Sequence, residues 1–271
     1  MRIVIYSSLI FAVLSVFGSA KEWTKFRGPS GDGHVTVKSI PLKWSETENI
    51  KWKVSVPGKG WSSPVISADK IYLTSAVAEG DNQDAADVNR ELRVICFSAN
   101  NGKKLWDTKV FDQKPLKRPI HHKNSHASPT AIVDNDRIYV HFGHMGSACL
   151  NLQGEIIWKN NELKYDPLHG NGGTPIIVDD LFFYSADALT NPFVVALNKN
   201  TGKVVWKKSR SETKQARKFS FSTPTFINMG GRSQIISPAS GAVFSYDSKT
   251  GEELWSVDYG GWSVIPKPGV Y

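Results

Sequence analysis

Residues 196–206 read ALNKNTGKVVW, and three other segments of the 271-residue chain close on the same pattern. They are residues 96–106 (CFSANNGKKLW), 149–158 (CLNLQGEIIW) and 245–255 (SYDSKTGEELW). The four closing tryptophans are 52, 48 and 49 residues apart. Self-similarity at a nearly constant spacing of this size indicates tandem copies of one structural unit.

A second motif precedes each of these segments, a small residue and a proline that open an apolar run. Its four copies are Ser63-Pro64, Ser128-Pro129, Thr174-Pro175 and Thr223-Pro224. Each copy predicts four strands, because proline is tolerated at the first residue of a strand and the late glycine supplies the left-handed residue of a tight hairpin. The fourth strand is predicted to end at the tryptophan.

A four-stranded antiparallel meander of this length is typical of a propeller blade. The predicted fold is therefore an all-β propeller that holds about four blades and the start of a fifth. The blades are predicted at about 61–108, 125–160, 171–208 and 220–257, with a partial blade at 261–271. Closed propellers have about 4–8 blades. We therefore expect the sequence to be a truncated piece of a longer protein, the alternative being a chain that pairs its open edge with another chain.

The amino terminus has the pattern of a secretory signal peptide over residues 1–20. A basic Arg2 is followed by a short apolar run and by the small residues Gly18, Ser19 and Ala20. The alternative, an uncleaved membrane anchor, needs about 20 apolar residues, and the run is shorter. Export to the periplasm or the medium is expected. Residues 21–60 are predicted to be a strap that includes a last-strand segment of the missing blade around Trp52.

The formal charge of +8 is concentrated between residues 103 and 123 and between 199 and 218. These stretches are either solvated loops or a surface that attracts anions such as acidic glycans or lipid head groups. Export argues against nucleic acid as a partner. The two cysteines, Cys96 and Cys149, hold equivalent positions in successive copies, and stacked sheets lie about 10 Å apart, which is too far for a disulfide. Both are predicted to be buried free thiols.

The Gly-x-x-x-Trp ending and the Ser/Thr-Pro strand start resemble the repeats of the pyrroloquinoline-quinone-like propeller superfamily. That group includes quinoprotein dehydrogenases and the outer-membrane assembly propeller. The segments 23–33, 61–64 and 123–128 are most similar to exported propellers of unknown activity from planctomycete-type bacteria. The resemblance covers residues 23–271. It implies that the tryptophans of the last strands wedge between neighbouring blades: Trp52, Trp106, Trp158, Trp206 and Trp255.

The same resemblance raises a quinone cofactor, and here the sequence departs from the enzymes. Quinoprotein alcohol dehydrogenases resemble one another in an adjacent cysteine pair that stacks on the quinone and in acidic ligands for calcium. This chain has no adjacent cysteines, and the segments just before each first strand contain no acidic cluster. No cofactor is predicted. The histidines His121, His122 and His126 follow no standard zinc spacing, and no metal site is predicted.

The residues just before each first strand are predicted to converge at one mouth of the central channel, where aromatic and polar side chains would form a ligand site. The predicted ligand-binding residues are Trp61, Ser62, Asn124, His126, His169, Asn171, Lys218, Phe221 and Trp262. Three functions remain open at this point. The first is a non-catalytic binding or scaffold module for a protein, peptide or glycan. The second is a quinone-dependent oxidoreductase, and the third is another ligand-binding enzyme that acts on sugars at the mouth.

Overall fold

The structure is a computed structural model that describes residues 22–37, 39–116, 118–216 and 219–269. The first sheet contains β1 (Val65–Ser67), β2 (Lys70–Ala78), β3 (Arg90–Ser98) and β4 (Lys104–Gln113). The second contains β5 (Ile132–Asp134), β6 (Arg137–His141), β7 (Ser147–Asn151) and β8 (Ile156–Asn160). The third contains β9 (Ile176–Val178), β10 (Leu181–Ala186), β11 (Phe193–Asn198) and β12 (Val204–Ser209). The fourth contains β13 (Thr225–Met229), β14 (Arg232–Pro238), β15 (Ala242–Asp247) and β16 (Glu253–Asp258).

Within every sheet the strands follow in chain order and all neighbours are antiparallel. The prediction of an all-β fold made of four-stranded antiparallel blades is confirmed. The hairpins follow the turn chemistry of the sequence. Between β1 and β2, for example, Ala68 and Asp69 both have positive φ, as the tight hairpin turn that matches strand twist requires.

The prediction that the fourth strand ends at the tryptophan is wrong. It is the third residue of β4, β8, β12 and β16, and each of these strands continues beyond it. The reason is the length of the third strand. In the first sheet β3 begins at Arg90, so it offers hydrogen-bonding partners as far as Gln113 at the end of β4.

The same register recurs around each tryptophan. In the third strand the residue opposite the indole is Cys96, Cys149, Ala196 or Ser245, and the ladder shifts directly after it in all four sheets. A bulge of this kind bends a strand and increases its twist. Cys96 and Cys149 are buried free thiols that lie in separate sheets.

Successive sheets meet through the indole rings. Nε1 of Trp106 donates to Leu152 O at 3.1 Å, and Nε1 of Trp158 donates to Lys199 O at 2.8 Å. Nε1 of Trp206 likewise donates to Ser248 O at 3.2 Å. Each acceptor lies in the last hairpin of the next sheet, where the indole covers the turn glycine. The energetic weight of these contacts stays a prediction.

A second set of contacts joins the sheets at their first strands. The backbone N–H of Ser63 donates to Thr130 Oγ1 at 3.0 Å, and the N–H of Thr130 donates to Thr174 Oγ1 at 3.1 Å. The N–H of Thr174 donates in turn to Thr223 Oγ1 at 3.1 Å. Because the same step repeats from sheet to sheet, the segments that open the first strands lie next to one another in chain order.

Part of the amino-terminal strap lies on the first strands. Trp23 pairs with Ile66 of β1 through two backbone hydrogen bonds of 2.8 and 2.9 Å, and Thr24 O accepts from Val133 N of β5. Trp52 lies outside the described strands, yet its Nε1 donates to Ala99 O at 3.0 Å and its ring covers Gly102. It therefore contacts the first sheet as the later tryptophans contact the sheets that follow them.

The predicted signal peptide lies outside the described residues, as does Tyr271. Over the ranges that the structure describes, no helix is long and apolar enough to cross a membrane.

Candidate functional site

The segments that precede the first strands lie next to one another. Trp61 N donates to Ala127 O at 3.1 Å, and Asn124 Nδ2 donates to His169 O at 2.9 Å. The His169 ring lies 5.1 Å from the ring of Phe219. Phe219 in turn packs 5.8 Å from Phe221 and 6.1 Å from Trp262. These segments form one continuous surface, which we call the mouth, as the repeat pattern indicates. Lys218, another of the predicted residues, lies outside the described residues.

A cavity of about 390 Å³ opens at the mouth between the first sheet and the segment that connects it to the second sheet. Its lining combines aromatic, imidazole and cationic side chains with a few apolar ones. Among them are Lys59, Trp61, Asp84, Arg90, Ile120, His121, His122, Asn124, Ser125 and His126. The indole of Trp61 is 63% exposed. Three predicted residues, Trp61, Asn124 and His126, thus share one cavity.

His126 is held in its neutral form. Gln113 Nε2 lies 2.9 Å from His126 Nδ1, and because the amide nitrogen can only donate, Nδ1 is the acceptor. The proton of the neutral ring is therefore on Nε2. Burial lowers the pKa of His126 to about 4, and the nearby Arg90 and His144 contribute in the same direction. Around neutral pH His126 offers the cavity a hydrogen-bond donor rather than a charge.

Arg90 supplies the buried cation of the cavity, and the sequence analysis missed it. Its side chain donates to the backbone carbonyls of Ala85 and Val88, and the residue is 6% exposed. Asp84, the carboxylate in the cavity lining, pairs with Lys59 instead. Burial lowers the pKa of Arg90, which Asp84 partly offsets. Its position as the first residue of a strand after a polar loop carries no sequence signal for burial.

Two other predicted residues are engaged in local structure. Ser62 Oγ donates to Thr74 O at 3.3 Å and accepts from Thr74 N at 3.2 Å, which ties the segment before β1 to β2. Asn171 Oδ1 accepts a hydrogen bond from the hydroxyl of Tyr165 at 2.8 Å. Neither side chain is among those that line the cavity.

A series of buried, hydrogen-bonded side chains leads away from Asn171. Nδ1 of His141 lies 2.8 Å from Ser147 Oγ, and its Nε2 lies 3.2 Å from the hydroxyl of Tyr165. The imidazole packs 4.2 Å from the ring of Tyr184 in the third sheet. Burial, with a smaller effect of His144, lowers the pKa of His141 to about 3. The alternation of β6 could have placed His141 beside the third sheet, because Tyr139 two residues earlier packs there on Phe182.

A buried ion pair lies between the third and fourth sheets. Nε of Arg210 lies 2.7 Å from Asp187 Oδ1, and Nη2 donates to Asp187 Oδ2 at 3.1 Å. Nη2 also donates to Ser237 Oγ at 2.8 Å. Burial alone lowers the pKa of Arg210, but the carboxylate raises it overall. A pair with this many bonds fixes the two sheets together.

The imidazole rings of the other histidines of the mouth lie close together. His121 and His122 have ring centres 4.3 Å apart, and His121 lies 5.1 Å from His169. Within the described residues no three His, Cys, Asp or Glu side chains are grouped as a metal site requires. The cluster provides flat polar surface at the cavity edge.

Known proteins resemble this chain both in sequence and in fold. A family model described as outer membrane protein assembly factor BamB matches residues 20–161 and 90–260. These matches together cover most of the chain. The chain belongs to the BamB family.

Part of this BamB-family chain also matches quinone-dependent enzymes. It is 34% identical over 140 residues to a quinoprotein ethanol dehydrogenase of Pseudomonas aeruginosa, a match that covers 46% of this chain and 22% of that protein. It is 30% identical over 118 residues to a 1-butanol dehydrogenase (quinone) of Thauera butanivorans, covering 38% and 18%. The matches span about a fifth of the length of these curated relatives.

Solved structures agree on the fold. The quinohemoprotein alcohol dehydrogenase of Comamonas testosteroni aligns with a TM-score of 0.61 at 11% identity, over 89% of this chain and 41% of that one. The quinohemoprotein alcohol dehydrogenase ADHIIG of Pseudomonas putida HK5 aligns with a TM-score of 0.56 at 12% identity, over 90% of this chain and 41% of that one. The predicted resemblance to the quinone-type propeller superfamily, and the propeller fold with it, are confirmed.

Proposed function

We propose that this BamB-family chain is an exported, non-catalytic binding module that holds a protein, peptide or glycan ligand at its mouth. Export is supported by the signal-peptide pattern of residues 1–20. The binding role is supported by one observation above all, the cavity of about 390 Å³ between the first sheet and the segment that connects it to the second. Ligand sites are concave and combine aromatic walls with a few placed polar groups, which describes this cavity.

The cavity contains side chains that can recognise a ligand. The exposed indole of Trp61 offers a flat apolar face, and Asn124 and His126 offer hydrogen-bonding groups at fixed positions. His126 is kept neutral by burial, so a proton-transfer role near neutral pH would require a pKa much closer to 7. The arrangement therefore supports binding more directly than acid–base catalysis.

A quinone-dependent oxidoreductase is the second candidate, and the partial match to the ethanol dehydrogenase favours it. The residues present do not fit a quinone held by stacked cysteines. Cys96 and Cys149 lie in different sheets, both are fully buried, and each faces a tryptophan across its own ladder. We expect pyrroloquinoline quinone with Ca²⁺ to leave the melting temperature unchanged and to support no dye reduction with alcohols. A stabilising shift together with dye reduction would establish the oxidoreductase.

The binding proposal is tested on arrays of glycans and peptides probed with the full chain. Trp61→Ala removes the exposed indole of the cavity. Trp44→Ala is the matched control, because Trp44 is 69% exposed but does not line the cavity. We expect at least one ligand class to be captured by the wild type and by Trp44→Ala and lost with Trp61→Ala. Equal capture by both variants would refute the mouth as the site, and chemical conversion of a captured ligand would indicate an enzyme instead.

A further inference from the structure

The charge inside the mouth cavity is unbalanced. Arg90 is buried to 6% exposure, and the two hydrogen bonds it donates go to neutral backbone carbonyls. A buried guanidinium is stabilised well only by a carboxylate or a similar anion. Among the described side chains that line the cavity, the carboxylate of Asp84 is already paired with Lys59. The described lining thus carries two cations, Lys59 and Arg90, against the single carboxylate of Asp84, which leaves one positive charge in excess.

The neighbours of Arg90 fit an anion as well. His126 is neutral and, with its Nδ1 accepting from Gln113, presents a donor at Nε2. Nδ1 of His121 accepts from the backbone N–H of Lys123 at 3.1 Å, which leaves Nε2 of that ring as a donor. Among the described residues neither Nε2 has a hydrogen-bond acceptor, and two such donors beside a buried cation favour a ligand with carboxylate oxygens.

The rest of the cavity indicates what carries that carboxylate. Trp61, which is largely exposed, is among the residues that line the same cavity. A pyranose ring has a flat C–H face that packs on an aromatic face and a polar edge that takes hydrogen bonds. A uronic-acid unit adds a carboxylate at that edge, so one ligand unit would use Trp61, His126 and Arg90 together.

We propose that the mouth binds a glycan that contains uronic acids, with Arg90 pairing to a sugar carboxylate and Trp61 stacking on the ring. This inference rests on the proposed function, that the mouth is a ligand site. Arginine suits this role because its planar guanidinium forms parallel hydrogen bonds to both carboxylate oxygens.

The test is titration calorimetry of the full chain with three probes. They are hexagalacturonate, its fully methyl-esterified form, which has the same rings without charge, and hexaglutamate. We expect hexagalacturonate to bind at least about 10-fold more tightly than the ester, since charge-assisted hydrogen bonds to a buried arginine are lost in the ester. We expect hexaglutamate to bind more weakly than hexagalacturonate, because its units have no ring face for Trp61.

Variants then locate the effect. Arg90→Gln should abolish the preference for the acid over the ester, whereas Lys249→Gln, which removes an exposed charge outside the cavity lining, should leave it unchanged. Arg90→Lys keeps the charge and should retain part of the preference, which separates charge from any loosening of residues 85–88. The acid–ester comparison on the wild type needs no variant and stands even if Arg90→Gln misfolds.

The outcomes separate this inference from the proposed function. Equal binding of acid and ester, both lost with Trp61→Ala, overturns the carboxylate and leaves the mouth as a binding site. Tighter binding of hexaglutamate overturns the glycan in favour of an acidic peptide. Binding by none of the probes overturns this inference, and the array experiment then decides the function independently. Binding that Trp61→Ala does not alter overturns the mouth itself.

Discussion

Replacing one docking tryptophan measures how strongly the sheets hold one another. Trp158 is 8% exposed, its Nε1 donates to Lys199 O, and its ring covers Gly202 in the next sheet. An indole of about 200 Å² at about 25 cal/mol per Å² contributes about 5 kcal/mol, from which the alanine Cβ and relaxation of the neighbours subtract. Trp158→Ala should therefore lower the free energy of unfolding by about 3–5 kcal/mol.

Trp255→Ala is the matched control. Trp255 has the same place in its strand, but it is 41% exposed and its Nε1 donates to Gln234 Oε1 within its own sheet. Its removal should cost less, about 2–3 kcal/mol, because the same side chain buries only about three fifths of its area there, and each variant loses one indole hydrogen bond. Urea unfolding followed by far-ultraviolet circular dichroism gives both values. A loss below 1 kcal/mol for Trp158→Ala, or equal losses for the two variants, would refute the docking role.

The remaining predictions concern a glycine, the thiols and a buried histidine. Gly202→Ala should destabilise the protein by more than Gly230→Ala. Both glycines have positive φ, but only a Cβ at position 202 would lie 2.5 Å from the indole of Trp158. Equal losses of unfolding free energy in urea would argue against this close approach. Thiol titration should find two reactive groups in the unfolded, unreduced protein and none in the folded protein, because Cys96 and Cys149 are buried and burial raises the pKa of Cys96 to about 11; a disulfide would leave no thiol in either state. Burial lowers the pKa of His141 from 6.5 to about 3, so between these pH values the side chain binds a proton in the unfolded state but not in the folded state. The free energy of unfolding is therefore unaffected by this group above pH 6.5. It decreases by at most about 1.4 kcal/mol per pH unit as the pH falls from 6.5 towards 3. His141→Gln should flatten that slope in urea midpoints measured from pH 7 to 4, and an unchanged slope would contradict the assignment.

The repeat made most of the fold predictable. Four copies of two motifs located the blades, because the proline and the glycine fix backbone geometry at the same point of each unit. The end of the fourth strand was predicted wrongly, since β4 continues to Gln113 only where β3 begins early enough to pair with it. Strand length therefore depends on the partner strand, which a motif within one strand does not report.

The repeat predicts that the segments before the first strands lie together, but it does not predict every side chain that lines the cavity there. The segments before the first strands do meet, and Trp61, Asn124 and His126 line one cavity. The burial of Arg90 was not predictable, because it depends on the loop that carries Ala85 and Val88, and that loop has no periodic pattern. The pair of Asp187 and Arg210 likewise joins residues on different sheets, and nothing in either local sequence marks a buried charge.

Oxidative footprinting of the tryptophans, read by mass spectrometry, tests most directly the claim that the sheets stand around one axis with indoles wedged between them. Trp44 and Trp61 are 69% and 63% exposed, whereas Trp158 and Trp206 are 8% and 7% exposed. The account predicts rapid oxidation of the first two and slow oxidation of the second two in the folded protein. Oxidation of Trp158 and Trp206 at the rate of Trp61 would contradict it.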